Sequence, residues 1–244
     1  MRMFLKTILT ILLCLIAHCS KAQVADHETY LGDVKRELQK TWPENRTVNL
    51  VFHGHSVPAG YFDTPHVCTL QSYPFLILQT VKAHYPYAVV NSINTSKGGE
   101  NSEQGYARFA KEVLTHRPDV LFIDYALNDT GIGLERARKA WESMIRDALN
   151  QGVKVVLMTP TPYLGENMQN FEALLEPHVR QIRELAGTYQ IGLVDSDAAF
   201  KLIRQTGDDL NMYMSQFNHP NEKGHSVVAD LVMQWLLNPE HQHP

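Results

Sequence analysis

The fold is decided by the stretch Val48-Asn49-Leu50-Val51-Phe52-His53-Gly54-His55-Ser56-Val57-Pro58-Ala59-Gly60. Its first half is an apolar run that predicts a buried β-strand, and its second half is a turn in which two glycines bracket Ser56. In open α/β sheets, ligands bind just beyond the carboxyl ends of the strands. The stretch therefore predicts a first strand that ends at a functional edge, with Ser56 placed on that edge.

Further β-rich runs follow, and longer stretches with helical periodicity separate them. The five predicted strands are Val48 to Phe52, Ala88 to Asn91, Val120 to Tyr125, Val153 to Met158 and Ile191 to Val194. This alternation is typical of a parallel sheet with helices on both faces. We therefore predict an α/β fold, a three-layer α/β/α sandwich around a central, mostly parallel five-stranded sheet.

The first 22 residues differ from the rest of the chain. Arg2 and Lys6 precede an apolar run from Thr7 to Ala17, and Ser20-Lys21-Ala22 offers small residues at both key positions of a signal-peptidase site. The apolar run is shorter than the roughly 20 residues that a membrane span needs. We predict a signal peptide over residues 1–22, a single catalytic domain over residues 23–244, and a periplasmic or secreted protein.

Composition limits the partners and cofactors of the chain. Loss of the leader would change the net charge from −4 to −7, and no basic block remains that could follow a phosphate backbone, so we expect no nucleic-acid partner. Cys68 would then be the last cysteine, which excludes an intramolecular disulfide and a cysteine-based zinc site. Lipidation of Cys19 is an alternative to simple cleavage, although His18 stands where a lipidation site has a small residue.

Three more loops carry glycine or polar residues beyond the predicted strands. The second strand leads into Lys97-Gly98-Gly99-Glu100-Asn101, and the third leads into Ala126-Leu127-Asn128-Asp129. The last loop, Asn218-His219-Pro220-Asn221, precedes a terminal amphipathic helix. Because the carboxyl ends of parallel strands meet at one edge of the sheet, we expect these loops to lie near Ser56.

This ordered set of serine, glycine, asparagine and histidine resembles the SGNH hydrolase superfamily, also called the GDSL-like lipases and esterases. The resemblance implies a flavodoxin-like sheet and a serine esterase that forms an acyl-enzyme without a cofactor. It implies Ser56 as the nucleophile and His219 as the base. It also implies an oxyanion hole formed by the N–H groups of Ser56 and Gly99 and the side-chain amide of Asn128, with Gly98 as the alternative glycine donor.

The chain departs from the family pattern at three positions. His55 replaces an aspartate before the serine and Ala126 replaces a glycine, but neither position supplies a proton or an oxyanion donor. Gln216 stands where the family has the aspartate that orients the imidazole, and an amide cannot offset the charge of an imidazolium. We expect a dyad steered by Gln216 or by a backbone carbonyl, or a carboxylate recruited from elsewhere, with Asp208 and Asp209 as candidates.

A metal site is an alternative use of the histidines near the serine, namely His53, His55 and His66. No carboxylate accompanies them at metal-ligand spacing, so we predict no bound metal.

The resemblance leaves several substrates open. An exported, acidic member of this superfamily is most similar to the carbohydrate esterases that remove acetyl groups from polysaccharides, so the expected partner is an acetylated carbohydrate. The alternatives are a lysophospholipase or thioesterase that acts on longer acyl chains, and a noncatalytic glycan-binding protein, for which Gln216 is the best support. Acyl transfer to a sugar also fits the chemistry, because an acyl-enzyme does not dictate its acceptor.

Overall fold

A central sheet of five parallel strands forms the middle layer of the protein. The computed structural model describes residues 23–237, so the predicted signal peptide lies outside the described residues. Strand order is 2-1-3-4-5, and every neighbouring pair of strands is parallel. The predicted α/β sandwich is confirmed, and its strand order is that of flavodoxin-like folds.

The observed strands extend or trim the predicted ones by a few residues at their ends. The sheet consists of β1 (Thr47–Gly54), β2 (Val89–Asn94), β3 (Val120–Asp124), β4 (Lys154–Met158) and β5 (Gly192–Val194). The helices are α1 (Gly32–Leu38), α2 (Ser56–Ala59), α3 (Tyr73–His84), α4 (Ser102–Glu112), α5 (Ala126–Asp129), α6 (Leu134–Leu149), α7 (Met168–Tyr189), α8 (Ser196–Gln205) and α9 (Glu222–Leu236).

Helices pack on the sheet through apolar faces. α3 contacts α9, and α4 contacts α6, which gives helix pairs that cover the sheet. The whole of β3 is buried, and the ring of Phe122 stacks on that of Phe52 in β1 with centroids 4.7 Å apart. A parallel strand that is buried on both faces, as β3 is, consists of consecutive apolar residues, which is why its position could be predicted from the sequence.

The site edge of the sheet depends on a close approach between β1 and β3. A Cβ atom at Gly54 would lie 2.4 Å from the carbonyl oxygen of Asp124, so only glycine fits at the end of β1. Immediately beyond it, the His55 N–H donates to the same carbonyl at 3.2 Å. This point lies where the strand order reverses, which is the place where such sheets bind their ligands.

A short hairpin near the end of the chain was not predicted. Its strands, β6 (Met214–Gln216) and β7 (His219–Pro220), are antiparallel and place Gln216 opposite His219. Two strands of two or three residues carry no detectable alternation of apolar and polar side chains, so the segment reads as a loop in sequence. The hairpin delivers the last loop to the edge of the sheet that holds Ser56.

Between residues 23 and 237, we find no helix with both the length and the apolar character needed to cross a membrane.

Replacement of Phe122 tests the core beneath the site. Phe122 is fully buried, so we expect Phe122→Ala to lower the free energy of unfolding by about 3–5 kcal/mol through lost burial and a residual cavity. Leu202→Ala, at a side chain that is 59% exposed, should change it by less than about 0.5 kcal/mol. Urea denaturation of both variants measures the difference, and equal effects would contradict the packing described above.

Candidate active site

Ser56 sits at the junction of β1 and the single-turn helix α2. The preceding residue, His55, caps this helix by accepting the Val57 N–H at its Nδ1, 3.2 Å away. As the first residue of the helix, Ser56 has an N–H that no intrahelical carbonyl can accept. The fold therefore presents both the hydroxyl and the free N–H of Ser56 at the sheet edge.

His219 lies within hydrogen-bond distance of the serine hydroxyl. Its Nε2 is 2.8 Å from the Oγ of Ser56, and its Nδ1 is 2.9 Å from the carbonyl oxygen of Phe62. A carbonyl oxygen can only accept, so Nδ1 carries the proton and Nε2 offers its lone pair to the serine. This is the tautomer that a general base requires.

The Phe62 carbonyl is itself held in place by packing. The Phe62 ring stacks on the imidazole of His225, with centroids 5.3 Å apart and 14° between the planes. His225 is fully buried and accepts the Tyr73 N–H at its Nδ1, 3.2 Å away. Burial lowers the pKa of His225 to about 3, so this ring is neutral at any working pH.

Gln216 approaches His219 as a donor and does not accept its ring proton. The Oε1 of Gln216 accepts the Thr64 N–H at 3.0 Å, which fixes the orientation of the amide. The Nε2 is thereby turned toward the Oδ1 of Asn218, at 2.9 Å, and toward the Nδ1 of His219, at 2.8 Å. Two N–H donors cannot bond to each other, so the backbone carbonyl of Phe62 is the group that orients the imidazole.

The two aspartates considered as substitutes point elsewhere. Asp208 accepts from the hydroxyl of Tyr213 at 3.0 Å, and Asp209 accepts the N–H of Asn211 at 2.9 Å. Across residues 23–237, no carboxylate forms a hydrogen bond with His219. The Ser56–His219 pair is thus a dyad completed by a main-chain carbonyl.

The predicted oxyanion donors converge on the same cleft. Ser56, Gly98, Gly99 and Asn128 all line it. Gly99 has φ +76°, a conformation that favours glycine, and a Cβ there would meet nothing within 4 Å. One N–H of the Asn128 amide donates to the Glu100 carbonyl at 2.9 Å, which leaves its other N–H free for a ligand.

The cleft is open and has polar and aromatic walls. Its volume is about 480 Å³, and besides the predicted residues it is lined by Tyr61, Thr64, Phe217 and Asn218. The sequence analysis did not single out Thr64 and Phe217, although Phe217 lies two residues before His219 in the chain. Phe217 is 49% exposed at the edge of the cleft.

The remaining histidines near the serine do not converge. His53 is buried and bonds to Thr95, with its Nδ1 2.9 Å from the threonine hydroxyl, whereas the exposed His66 bonds to Asp63 at 3.0 Å. Over the part of the chain that the structure describes, no group of three or more His, Cys, Asp or Glu side chains is arranged to hold a metal ion.

The electrostatic environment keeps His219 available as a base. Burial lowers its pKa below the ordinary value of 6.5, while the hydrogen bond to the Phe62 carbonyl works in the opposite direction. The buried ring of His55 also acts to lower the pKa of His219. His219 is therefore neutral at pH 7 and ready to accept a proton.

Comparison with known proteins agrees with this fold and chemistry. A family model described as the GDSL-like lipase/acylhydrolase family matches residues 52–227. An acetylxylan esterase of Geobacillus stearothermophilus is 20% identical over 169 residues, which are 64% of this chain and 77% of that protein.

Solved structures share the same architecture. A catalytic mutant of an acetylxylan esterase from Geobacillus stearothermophilus superposes with a TM-score of 0.69 at 18% identity, covering 78% of this chain and 94% of that one. A two-domain esterase active on acetylated mannans gives a TM-score of 0.69 at 21% identity, covering 91% of this chain and 58% of that one. At these identities the structural likeness concerns the fold.

An α/β fold of this topology, with a serine hydroxyl bonded to an imidazole beside an amide and a glycine turn, defines a serine hydrolase that acts on carboxylic esters. The chain belongs to the GDSL-like lipase/acylhydrolase family, within the SGNH hydrolase superfamily.

The pH dependence of ester hydrolysis should follow the protonation of His219. Because only the neutral imidazole accepts the serine proton, and because burial lowers its pKa, we expect kcat/KM to fall on the acid side with a midpoint below pH 6.5. Rates measured between about pH 4 and pH 8 test this expectation. A midpoint at or above 6.5 would contradict it.

Gln216→Glu should move that midpoint to higher pH. The substitution puts a carboxylate oxygen where the amide nitrogen now lies, 2.8 Å from Nδ1, so it can accept the ring proton and stabilise the imidazolium. An adjacent opposite charge raises the pKa of a histidine by about 1 unit or more. Gln216→Ala is the matched control, because it adds no charge and leaves the Phe62 carbonyl in place. An identical midpoint in wild type and Gln216→Glu would argue against the contact.

Proposed function

We propose that the protein is an exported serine esterase that removes acetyl groups from carbohydrate, with Ser56 as the nucleophile and His219 as the base. The observation that carries this proposal is the hydrogen bond of 2.8 Å between the Nε2 of His219 and the Oγ of Ser56, with the opposite ring nitrogen held by the Phe62 carbonyl. These contacts select the reactive tautomer before any substrate arrives.

The first half of the reaction forms an acyl-enzyme. As the Oγ of Ser56 attacks the ester carbonyl carbon, its proton passes to the Nε2 of His219. The carbonyl oxygen gains negative charge and accepts hydrogen bonds from the N–H groups of Ser56 and Gly99 and from the free amide N–H of Asn128. When the tetrahedral intermediate collapses, His219 returns the proton to the leaving alcohol.

The second half releases the acid. Water donates a proton to the Nε2 of His219 and attacks the acyl carbon, and the same three donors hold the second oxyanion. The intermediate collapses with return of the proton to the Oγ of Ser56, which restores the enzyme. The imidazolium that forms in each half faces the Phe62 carbonyl, whose dipole offsets part of its charge in place of a carboxylate.

The walls of the cleft favour a short acyl group and a polar leaving alcohol. Among the described residues that line it, none has an aliphatic side chain, whereas a lysophospholipase or thioesterase needs an apolar groove for its acyl chain. Tyr61 and Phe217 provide ring faces suited to the apolar face of a sugar. The relatives described as acetylxylan esterase and as an esterase active on acetylated mannans support the same substrate class.

The noncatalytic alternative rested on Gln216 in place of an aspartate. The Phe62 carbonyl now occupies the position of the missing acceptor, so the loss of the carboxylate does not leave His219 without an orienting group. We propose export on the basis of residues 1–22 alone, which have the basic start, the apolar run and the small-residue cleavage site of a signal peptide.

Chain-length preference and loss of the serine test the proposed activity together. We expect the mature chain from Gln23 to hydrolyse p-nitrophenyl acetate faster than the butyrate and octanoate esters. Ser56→Ala should lower kcat/KM by about 10⁴-fold or more, because the nucleophile is lost. Ser143→Ala is the matched control, since that hydroxyl bonds only to the Lys139 carbonyl on the exposed side of α6.

Release of acetate from acetylated xylan and acetylated mannan then tests the sugar portion of the substrate. Equal activity of wild type and Ser56→Ala on every ester would refute the esterase proposal. A preference for octanoate would instead favour the alternative activity, that of a lysophospholipase or thioesterase.

A further inference from the structure

Glu100 connects the two loops that supply the oxyanion donors. Its carbonyl accepts the Asn128 amide at 2.9 Å, and its N–H donates to the Lys97 carbonyl at 3.3 Å. The second bond closes a turn around Gly98 and Gly99. One residue therefore holds the glycine turn and the asparagine side chain in a common frame.

The Glu100 side chain is anchored away from the cleft. Its carboxylate accepts from the Nε of Arg108 at 2.7 Å, from a second guanidinium nitrogen, and from the Tyr125 hydroxyl at 2.7 Å. The side chains of Glu100 and Arg108 are each only 10% exposed. Burial of the Glu100 carboxyl acts to raise its pKa, but the hydrogen bonds from Arg108 and Tyr125 outweigh this effect and lower it, so the pair is ionised at pH 7.

The same cluster of Glu100, Arg108 and Tyr125 also holds the start of the segment from residue 95 to residue 100, which contains the glycine turn. Arg108 donates to the carbonyl of Thr95 at 2.7 Å, and the Thr95 hydroxyl lies 2.9 Å from the Nδ1 of His53. The Nε2 of His53 is in turn 3.1 Å from the Tyr125 hydroxyl. Arg108 thus fixes both ends of the segment from residue 95 to residue 100, whose inner turn supplies the Gly99 N–H.

A buried ion pair of this kind is poor evidence for stability, because the cost of removing two charges from water offsets most of their attraction. It is better suited to fixing a geometry. The pair bonds to both ends of the segment from residue 95 to residue 100, at a site where a displacement of about 1 Å is enough to lower the rate strongly.

We propose that Glu100 and Arg108 are positioning residues, which hold the Gly99 N–H and the Asn128 amide at the spacing that the tetrahedral oxyanion requires. The inference rests on the proposed function of the same site. Since the bound ester carries no oxyanion, which develops only as the tetrahedral intermediate forms, loosening its donors lowers kcat and leaves substrate binding almost unchanged. If the two residues had a purely structural role, their loss would lower stability without lowering kcat selectively at constant KM.

Glu100→Gln is the test, because it keeps the shape of the side chain and removes its charge. We expect kcat for p-nitrophenyl acetate to fall about 10- to 100-fold, short of the 10²–10³-fold typical of losing an oxyanion donor outright. KM should stay within about twofold, and affinity for a boronic acid that mimics the tetrahedral intermediate should fall in parallel with kcat. Glu103→Gln is the matched control. Glu103 lies on α4, as Arg108 does, and its exposed carboxylate pairs with Arg136 of α6, so this variant should behave as wild type.

A folded Glu100→Gln enzyme with wild-type kcat and boronic-acid affinity would overturn the inference, as would an equal loss in Glu103→Gln. If thermal melting shows that Glu100→Gln is unfolded at the assay temperature, Tyr125→Phe decides. It removes the hydroxyl that bonds to Glu100 and His53 within the same cluster, and should lower kcat several-fold at constant KM. Wild-type kinetics would overturn the inference. Failure of the proposed function is distinct, since wild type itself would then neither turn over esters nor react at Ser56 with a fluorophosphonate.

Discussion

The close approach of β1 to β3 at Gly54 is the constraint on which the rest of the site depends. A side chain there would collide with the Asp124 carbonyl, and without that approach the His55 N–H could not reach the same oxygen. The contact sets the direction in which the chain leaves the sheet, and it places Ser56 at the start of a helix, where its N–H has no intrahelical acceptor. It also brings the turn after β3, with Asn128, beside the serine.

Among the described residues no carboxylate bonds to His219, and a main-chain carbonyl takes that place. The Phe62 carbonyl accepts the Nδ1 proton, and the stack of Phe62 on the buried, neutral ring of His225 keeps that carbonyl in place. A dipole offsets the charge of an imidazolium less than a full negative charge does. The arrangement therefore secures the tautomer and the orientation of the base, with weaker support for the charge that develops on it.

Two buried polar clusters lie behind the cleft on either side of Ser56. On one side, His55 approaches Asp124, whose other oxygen accepts the Tyr73 hydroxyl at 3.1 Å. On the other side, the carboxylate of Glu100 binds Arg108 and Tyr125. Buried polar groups are costly unless they are hydrogen-bonded, and the Glu100 carboxylate is bonded by Arg108 and Tyr125, whereas the facing Nε2 of His55 and Oδ1 of Asp124 form no hydrogen bond. The Glu100 cluster therefore fixes loop geometry more than it adds stability.

The residue pattern alone predicts the five strands, the functional edge of the sheet, and the positions of Ser56, Gly99, Asn128 and His219 on that edge. This is possible because the central strands β3 and β4 are buried apolar runs and because turn residues mark where each strand ends. The group that orients His219 is visible only in the folded chain. The acceptor is a backbone carbonyl, which every residue possesses, so no side chain in the sequence can announce it.

The contacts of Gln216 and Glu100 also could not be predicted from the sequence. The hairpin that sets Gln216 against His219 is too short to leave a periodic pattern, and the direction of the Gln216 amide follows from its bond to the Thr64 N–H, far away in the chain. The bond from the Tyr125 hydroxyl to Glu100 likewise joins side chains that meet only once α4 has packed beside the end of β3. Local patterns specify elements and their ends, whereas contacts between distant segments depend on the folded geometry.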